Sequence, residues 1–271
     1  MSRGPRLTPL LVAISFLTIF PAMRRRVPSQ GEISGSRAYY PAVGLLLGLL
    51  LVGVERGASE AFPEYLTAAL LLTILVVVNR GLHLDGLMDS CDGLLGGGTT
   101  ERRLEIMQDS HVGAFAVAGA ACVLLLKYGA LVSLLTLTEG GQAGIEWVLL
   151  LFPMLSRWAM VVNLGAFPYV RRNGLGSPFH QGNAGIPNAI AAATTIVAAV
   201  LLGSYGGVGL LAGVSALAWL LGRGMAAMLG GLTGDTYGAT NELAEAAVLI
   251  AAAGLLPHGW IEPLPELLGA F

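Results

Sequence analysis

The chain has 271 residues, of which 55% are hydrophobic and only 12% are charged, and its mean hydropathy is +0.72. These values lie well outside the usual range of soluble globular domains and indicate an integral membrane protein. The formal net charge of −2 says little about partners, because the position of the charges along the chain matters more in a membrane protein, and we expect no nucleic-acid partner. The two cysteines have neither a disulfide-framework nor a metal-ligand spacing.

Apolar runs that approach the roughly 20 residues needed to cross a bilayer recur along the chain. A short one, 7–22, ends at Pro21 and predicts a dipping or interfacial helix rather than a span. We therefore predict an all-α, polytopic integral membrane helical bundle, a single domain over 1–271, with about seven transmembrane helices after this short N-terminal helix. The seven runs lie at about 41–54, 65–82, 112–137, 146–166, 187–203, 207–230 and 242–256.

Arginines orient the predicted bundle, because cytoplasmic loops carry an excess of basic residues. They fall in alternate loops, at Arg24, Arg25, Arg26, Arg37, Arg102, Arg103, Arg171 and Arg172. This pattern predicts that loops 23–38, 83–111, 168–186 and 231–240 face the cytoplasm. Every stretch with unusual chemistry lies in or beside these loops, so we expect the active site at the cytoplasmic face of the membrane.

Three aspartates follow the second apolar run, in the stretch NRGLHLDGLMDSCDGLLGGG. On a helix, Asp85, Asp89 and Asp92 fall within a sector of roughly 60°. Carboxylates so placed repel one another and are costly beside a membrane, so their grouping usually marks a function. A hard divalent cation removes the repulsion, and Mg²⁺ prefers one or two carboxylates plus substrate phosphates. The stripe predicts a Mg²⁺ site, with a solvated helix end as the alternative.

A second polar stretch, EIMQDSHVG, precedes the third run. Asp109 is a candidate for direct chemistry, because Ser110 and His111 follow it at the predicted membrane edge. A solvated loop helix, in which arginines pair with a neighbouring glutamate, explains the same pattern. His83 and His111 are each open to three interpretations: a donor to phosphate, a base, or an ordinary interface residue.

The connection 168–187 is rich in glycine and proline and too long for a plain loop, so it predicts a binding loop or lid. Gly174 and Gly176, with the arginine pair before them, suit a phosphate, although anchoring of a cytoplasmic loop explains the arginines equally well. Arg157 lies inside a predicted span, where it could contact substrate, snorkel, or pair within the bundle.

The stretch GGLTGDTYGATNELAE joins a glycine turn to a helix, whose N-terminal amides could meet an anion. Thr233, Asp235 and Thr236 lie in the turn, and Glu242 follows Asp235 two helical turns later. These four residues are candidates for substrate binding. The alternative is that Asp235 simply caps the helix.

Four motifs, in this order, resemble those of the cobalamin synthase family, the adenosylcobinamide-GDP ribazoletransferases: GLHLDGLMDSCDGLLGG, RRLEIMQDSHVGAF, NGLGSPF and GGLTGDTYGATNELAE. The likeness extends from YYPAVGLLLG at 39–48 to NELAE at 241–245, and the first and last motifs are specific. The chain departs from the family at Ile19, where Arg is usual, and at Arg80, where a small residue is usual. Arg80 or the run Arg24 to Arg26 could supply the missing positive charge.

The resemblance implies a Mg²⁺-dependent transferase of the cytoplasmic (inner) membrane of a prokaryote. It would transfer the cobinamide phosphate of adenosylcobinamide-GDP to the 3′-hydroxyl of α-ribazole or α-ribazole 5′-phosphate, giving adenosylcobalamin or its 5′-phosphate and GMP. Asp85, Asp89 and Asp92 would hold the metal, and Asp92 or Asp109 would accept the hydroxyl proton. The substrate-binding candidates are His83, Ser110, His111, Arg157, Gly174, Gly176, Thr233, Asp235, Thr236 and Glu242. The lipid bilayer is a further partner, and the oligomeric state, a homo-oligomer included, is open.

Two other classes use acidic residues in a membrane. A phosphotransferase of the CDP-alcohol type has a DxxDG…AR pattern; DSCDG is present here, but no Ala-Arg follows at the right distance. A cation-coupled transporter would carry its acids near the middle of spans and in two related halves, whereas these acids gather at one face.

Overall fold

The structure, a computed structural model, describes residues 8–22, 27–139, 144–171, 179 and 185–261. These residues are helical almost throughout, and one isolated bridge joins Tyr169 to Leu232. The α-helices in the described part of the chain are α1 Thr8–Leu17, α2 Gln30–Ser36, α3 Tyr40–Ser59, α4 Glu64–Val78, α5 Leu82–Gly96, α6 Thr100–Ile106, α7 Ala114–Glu139, α8 Ile145–Ala166, α9 Gly185–Leu229 and α10 Gly234–Leu255. Short 3₁₀ turns link α2 to α3 and follow α10.

The helices of a polytopic membrane protein are present, as predicted. Within the described residues, five helical stretches are long and apolar enough to cross a membrane, and a sixth is counted if the bent pair α4 and α5 forms one span. The five are Gln30–Ser59, Ala114–Leu137, Ile145–Ala166, Gly185–Leu229 and Gly234–His258. The chain is therefore an all-α, multi-pass membrane protein.

The stretch α9 explains the difference between these numbers and the seven predicted runs. Its 45 residues include Ser204, whose φ of 45° and ψ of −129° break the helix. A Cβ added at Gly207 would lie 2.1 Å from the carbonyl oxygen of Ala199, although residues eight apart in a straight helix are about 12 Å apart. The chain folds back at Ser204, and its two arms correspond to the runs predicted at 187–203 and 207–230.

The axis turns by 88° between α4 and α5. Arg80 and Gly81 both have positive φ, 56° and 65°, a conformation that glycine adopts without strain and arginine rarely does. The apolar run predicted at 65–82 therefore ends at this bend. The aspartate stripe belongs to a separate helix, α5, that leaves the direction of the span.

Helix α1 agrees with the predicted non-spanning segment. Its 10 residues extend about 15 Å, half the thickness of a bilayer core. The amide of Ile19 donates to the carbonyl of Val78 at 2.7 Å, and the Arg80 guanidinium donates to the carbonyls of Ser15 and Phe16 at 3.4 and 3.1 Å. Arg80 thus caps the end of α1 and fixes this helix to the bend; Arg24 to Arg26 lie outside the described residues.

Helix α8 lies at the centre of the bundle, with buried residues along most of its length. It packs against α3, where glycines allow the two backbones to touch. A Cβ at Gly44 would lie 2.4 Å from the carbonyl oxygen of Pro153, and one at Gly48 would lie 2.6 Å from that of Leu149. Small residues at such contacts let membrane helices approach closely.

Candidate active site

A cavity of about 200 Å³ lies where α1, α3, α5, α8 and α10 meet. Its lining includes one set of polar side chains and one set of aromatic rings. The polar set is His83, Asp85, Arg171 and Asp235, and the aromatic set is Phe16, Tyr40, Tyr169, Phe179 and Tyr237. The cavity thus combines residues from the first and last family-like motifs, which are about 150 residues apart in the chain.

Two glycines bring those motifs together. A Cβ added at Gly86 of α5 would lie 2.7 Å from the carbonyl oxygen of Asp235, and one added at Gly238 of α10 would lie 3.0 Å from that of His83. Any larger residue at either position would push the helices apart. The close crossing of α5 and α10 is therefore what places the aspartate stripe beside Asp235.

Among the residues that the structure describes, the carboxylates at this crossing outnumber the cations. Arg171 Nη1 lies 2.9 Å from Asp235 Oδ2, and Arg171 Nη2 donates to the Met107 carbonyl at 3.4 Å. Asp89, partly buried one turn after Asp85, is subject to the negative charge of Asp235 and Asp85 and to the positive charge of Arg171. We call Asp85, Asp89 and Asp235 the acidic cluster. Its excess negative charge is of the kind that a bound cation offsets.

A short backbone pairing holds Arg171 in place. The amide of Val170 donates to the carbonyl of Leu232 at 2.9 Å, and the amide of Leu232 donates to that of Pro168 at 2.8 Å. Gly231 allows this contact, because a Cβ there would lie 2.8 Å from the Pro168 oxygen. The segment after α8 is thereby fixed to the turn before α10.

Thr233 and Thr236, predicted as substrate-binding residues, form the N-terminal cap of α10. The Thr233 hydroxyl accepts from the amide of Thr236 at 3.3 Å, and the Thr236 hydroxyl accepts from the amide of Thr233 at 2.9 Å. Both threonines are fully buried. The cap residue is therefore Thr233 rather than Asp235, whose carboxylate accepts from the Thr233 hydroxyl at 3.3 Å and lines the cavity.

Asp92 is engaged by a helix end. Its two carboxylate oxygens accept from the amide of Gly113 at 2.6 Å and from that of Ala116 at 2.8 Å, at the start of α7. A carboxylate at this position satisfies amides that the helix cannot and stabilises its positive end. Its predicted roles as metal ligand and base stay predictions, and Asp92 is not among the residues that line the cavity.

Asp109, Ser110 and His111 lie in an exposed segment between α6 and α7. Asp109 Oδ1 accepts from the His111 amide at 3.0 Å and lies 2.6 Å from His111 Nδ1. The side-chain hydrogen bond to His111 holds the pKa of Asp109 below its usual range, and the same bond raises the pKa of His111. These three residues are not part of the cavity lining, so the structure does not bring the predicted base Asp109 to the acidic cluster.

Arg157 and Glu242 lie in a buried ion network that we define as Lys127, Arg157, Glu242 and Glu245. Lys127 Nζ lies 2.6 Å from Glu242 Oε2 and 2.5 Å from Glu245 Oε2, and Arg157 pairs with the other oxygen of Glu245. All four side chains are at most 6% exposed. Pairing within the bundle was one of the readings open for Arg157, and it is the one found; neither Arg157 nor Glu242 lines the cavity.

His83 is buried between the cavity and the ion network. It lines the cavity and also a smaller void of about 10 Å³, room for one water molecule, shared with Lys127, Glu242 and Glu245. Neither ring nitrogen has a hydrogen-bond partner among the described residues. A buried imidazole with free nitrogens beside a cavity is suited to bind a ligand or a water molecule.

Gly174 and Gly176 lie outside the described residues, as does Arg172. The five aromatic rings of the cavity were not predicted as site residues. Tyr40 and Tyr237 belong to family-like stretches, YYPAVGLLLG and GDTYG, but in so apolar a chain an aromatic residue in a motif cannot be told from a core residue.

The cavity offers oxygen ligands of the kind that Mg²⁺ prefers. Among the described residues, no group of three or more His, Cys, Asp or Glu side chains is arranged to hold a metal ion. A Mg²⁺ site, however, commonly uses one or two carboxylates and is completed by water and substrate phosphates. The acidic cluster supplies such carboxylates at the cavity, and its residues fit a metal that protein and substrate hold jointly.

The chain is similar to a known family and to named proteins over most of its length. The family model "Cobalamin-5-phosphate synthase" matches residues 9–253. A protein of Desulfitobacterium hafniense named adenosylcobinamide-GDP ribazoletransferase is 38% identical over 93% of this chain and 99% of its own length. Proteins of the same name from Pseudomonas fluorescens and Stutzerimonas stutzeri are 40% and 42% identical, each over 90% of this chain and 98% and 97% of their own lengths.

No solved structure is significantly similar to the chain. The family match covers all four motifs on which the resemblance was based, and it confirms that resemblance. It also makes the chain an enzyme of the transferase class rather than a transporter. The chain belongs to the cobalamin-5-phosphate synthase family.

Proposed function

We propose that this chain transfers the cobinamide phosphate of adenosylcobinamide-GDP to the 3′-hydroxyl of α-ribazole or its 5′-phosphate and releases GMP. The single observation that carries this proposal is the meeting of Asp85 and Asp235, from the two most specific motifs, on one cavity with Arg171. A pyrophosphate has the opposite charge to Arg171 and the same charge as the aspartates. Such a site needs a cation before it can accept the donor substrate.

Mg²⁺ is the cation we propose. Asp85 and Asp89 would hold it, with Asp235 as a third carboxylate and Asp92 as the further ligand predicted from the sequence. When bound, Mg²⁺ would neutralise charge on the pyrophosphate and on the departing GMP. Arg171, placed between the cavity and α6, would bind a phosphate oxygen in exchange for part of its contact with Asp235.

The acceptor hydroxyl must lose a proton to a group in the cavity. Asp85, Asp235 and His83 are the cavity-lining side chains that can take it. This favours them over Asp92 and Asp109, which do not line the cavity. The oxygen then bonds to the phosphorus nearer the cobinamide, and the bond from that phosphorus to the GMP oxygen breaks.

The reaction is tested with purified protein, Mg²⁺, adenosylcobinamide-GDP and α-ribazole. We expect GMP in equal amount to the cobalamin product, and neither in the presence of EDTA. Isotope-labelled phosphorus on the cobinamide side should appear in the cobalamin product and not in the nucleotide. Absence of GMP from folded protein that retains bound lipid and a cooperative unfolding transition would contradict the proposed reaction, and label in the nucleotide would contradict the point of attack.

We further propose that the protein lies in the cytoplasmic membrane of a prokaryote with the cavity facing the cytoplasm. The arginine-rich loops support this orientation. In a background without Cys91 and Cys122, a cysteine at exposed Ser59, at the end of α3, should react with a membrane-impermeant maleimide added to intact cells. A cysteine at exposed Ser110 should react only after the cells are opened. The reverse pattern would contradict the orientation.

A further inference from the structure

Five aromatic side chains from separate segments surround the cavity, and the charge-based chemistry above uses none of them. Phe16, Tyr40 and Phe179 form a three-ring group, with ring centroids 4.8 Å apart for Phe16 and Phe179 and 6.3 Å apart for the other two pairs. Tyr169 and Tyr237 stack at 6.4 Å with an interplanar angle of 18°. Rings at these distances can accept a further ring by stacking or edge contact.

These rings enclose space instead of filling it. Interiors are normally packed with few voids larger than a water molecule, yet the rings, together with Met160 and Leu164, border a cavity of about 200 Å³. A concave, mostly apolar site with a few convergent polar groups is the usual form of a small-molecule site. The aromatic set is therefore suited to a planar, apolar ligand group beside the charged one.

The size of the cavity narrows the choice of ligand group. Sites for drug-sized ligands span roughly 300–1,000 Å³, so 200 Å³ is too small for a corrinoid macrocycle and is the scale of a nucleoside. Two nucleoside parts belong to the proposed reaction, the guanosine of the donor and the α-ribazole acceptor. Guanine has several hydrogen-bonding groups on its edge, and burying more of them than the three tyrosine hydroxyls of the lining can pair is costly. The dimethylbenzimidazole ring of α-ribazole is mostly apolar.

We propose that Phe16, Tyr40, Phe179, Tyr169 and Tyr237 form the subsite for the benzimidazole base of the acceptor. This inference rests on the proposed function and deepens it. With the base among the rings, the ribose is directed to the charged part of the same cavity, where Asp85 and Asp235 lie. The enzyme then selects a fused apolar base over a purine by the cost of desolvating the purine's polar edge.

Phe16 is the ring best suited to a test, because α1 is a short peripheral helix and Phe16 is only partly buried. The variant Phe16→Leu keeps an apolar side chain and removes the ring, and Phe16→Tyr keeps the ring. Phe115→Leu, at an exposed position at the start of α7, is the matched control. Phe179→Leu is a second variant of the same three-ring group in case Phe16→Leu fails to fold.

Binding of α-ribazole to purified protein is measured by calorimetry without the donor. We expect Phe16→Leu and Phe179→Leu to weaken it about 5- to 10-fold, as loss of an aromatic contact does, Phe16→Tyr to weaken it less than Phe16→Leu does, and Phe115→Leu to leave it unchanged. The adenine α-riboside should bind wild type at least about 10-fold more weakly than α-ribazole. In turnover, the KM for α-ribazole should rise, while kcat and the KM for adenosylcobinamide-GDP stay constant.

Unchanged α-ribazole binding in both leucine variants would overturn the inference. So would a rise in the KM for adenosylcobinamide-GDP in place of that for α-ribazole, because the rings would then hold guanine. Since binding is measured without turnover, failure of the two proposals can be told apart. Wild type that binds α-ribazole in a ring-dependent way but forms no GMP would contradict the proposed reaction and leave the subsite intact.

Discussion

The bundle contains two groups of charged side chains that differ in how their charge is balanced. In the buried ion network, two cations and two carboxylates neutralise one another, and Ser156 and Asn241 also contact Glu245 at 3.4 and 3.1 Å. In the acidic cluster, three carboxylates lie near one guanidinium of the described part of the chain, and they line or adjoin an open cavity. A balanced, closed group needs no ligand, whereas an unbalanced, open group is suited to bind one.

The comparison separates two kinds of motif residue. Glu242 and Glu245 belong to the same family-like stretch as Asp235. The two glutamates nevertheless lie in the balanced ion network, whereas Asp235 lies in the unbalanced acidic cluster. The helix α10 carries both groups, Asp235 in its first turn at the cavity and the two glutamates two to three turns further into the bundle. One continuous helix therefore connects the candidate site to the network that anchors it.

The largest expected effect is on turnover, at the acidic cluster. Asp85→Asn keeps the volume of the side chain and removes its charge, so we expect kcat to fall roughly 100-fold or more. The unfolding midpoint should not fall below its wild-type value, because Asp85 is exposed and its removal as a charge reduces the repulsion within the acidic cluster. Asp89→Asn should behave alike. Steady-state GMP release and thermal unfolding in detergent measure the two quantities.

Glu105→Gln is the control for this charge change, because Glu105 is an exposed carboxylate paired with Arg102 outside the cavity. It should retain wild-type turnover. Full activity of both Asp85→Asn and Asp89→Asn would show that the unbalanced group has no catalytic use, and the contrast between the two groups would then lose its functional meaning.

At the ion network we expect a large loss of stability and little change in turnover. Lys127→Met leaves Glu242 and Glu245 against Arg157 alone, and breaking a buried pair in this way costs about 3–5 kcal/mol of unfolding free energy. Activity per folded molecule should change little, because the network does not line the cavity and only shares the small void of about 10 Å³ with His83. Denaturant unfolding monitored by fluorescence and active-site-normalised turnover separate these effects.

The double variant Lys127→Met, Glu242→Gln restores the balance of charge, since Arg157 and Glu245 remain as a pair. It should recover at least half of the lost stability. If Lys127→Met alone were as stable as wild type, the ion network would not stabilise the fold. If it were stable and inactive, the network would belong to the active site.

Asp92 shares features with both the acidic cluster and the ion network, because it has a structural contact and a predicted catalytic role. Both carboxylate oxygens of Asp92 accept from amides, so Asp92→Asn, which keeps one acceptor oxygen, should lose less stability than Asp92→Ala, which keeps none and should lose about 1 kcal/mol. Chemical unfolding of both variants measures the cap. Turnover of the folded Asp92→Asn protein then reports on charge alone, and full turnover would contradict the prediction that Asp92 binds the metal.

The smallest expected effect concerns the exposed pair of Asp109 and His111. Because the pKa of His111 is raised from its ordinary 6.5 and that of Asp109 is lowered, the pair is charged between the two values. Its contribution is lost as pH rises through the raised pKa of His111, and as pH falls through the lowered pKa of Asp109. NMR titration of the His111 ring should give a pKa above 6.5 that falls in Asp109→Asn.

That change should leave the unfolding midpoint unaltered, because both side chains are largely exposed and solvent screens the pair. A His111 titration that is identical in wild type and Asp109→Asn would contradict the contact. A large loss of kcat in Asp109→Asn with unchanged α-ribazole binding would instead support the base predicted from the sequence, and would require the segment to move to the cavity during turnover.

Sequence alone determined the class of the protein and its family. Composition requires a membrane protein, because so few charges over so many apolar residues cannot cover a soluble surface. The apolar runs located the spans, including the two arms that meet at Ser204. Helical periodicity placed Asp85 and Asp89 on one face. Each of these inferences depends on neighbours along the chain, and such neighbours are fixed by local geometry.

The tertiary structure decided which of those residues meet. Periodicity defines a helix face, but it does not reveal the partner helix, which here is about 150 residues away and is admitted by Gly86 and Gly238. Asp235 was thereby brought to the acidic cluster. Asp92 found amide donors at the start of α7, and Arg157 and Glu242 found charged partners inside the bundle. A charged side chain near a membrane needs a partner of opposite charge or a hydrogen-bonding group. Which residue supplies that partner depends on how the helices pack, and a local sequence pattern does not contain this information.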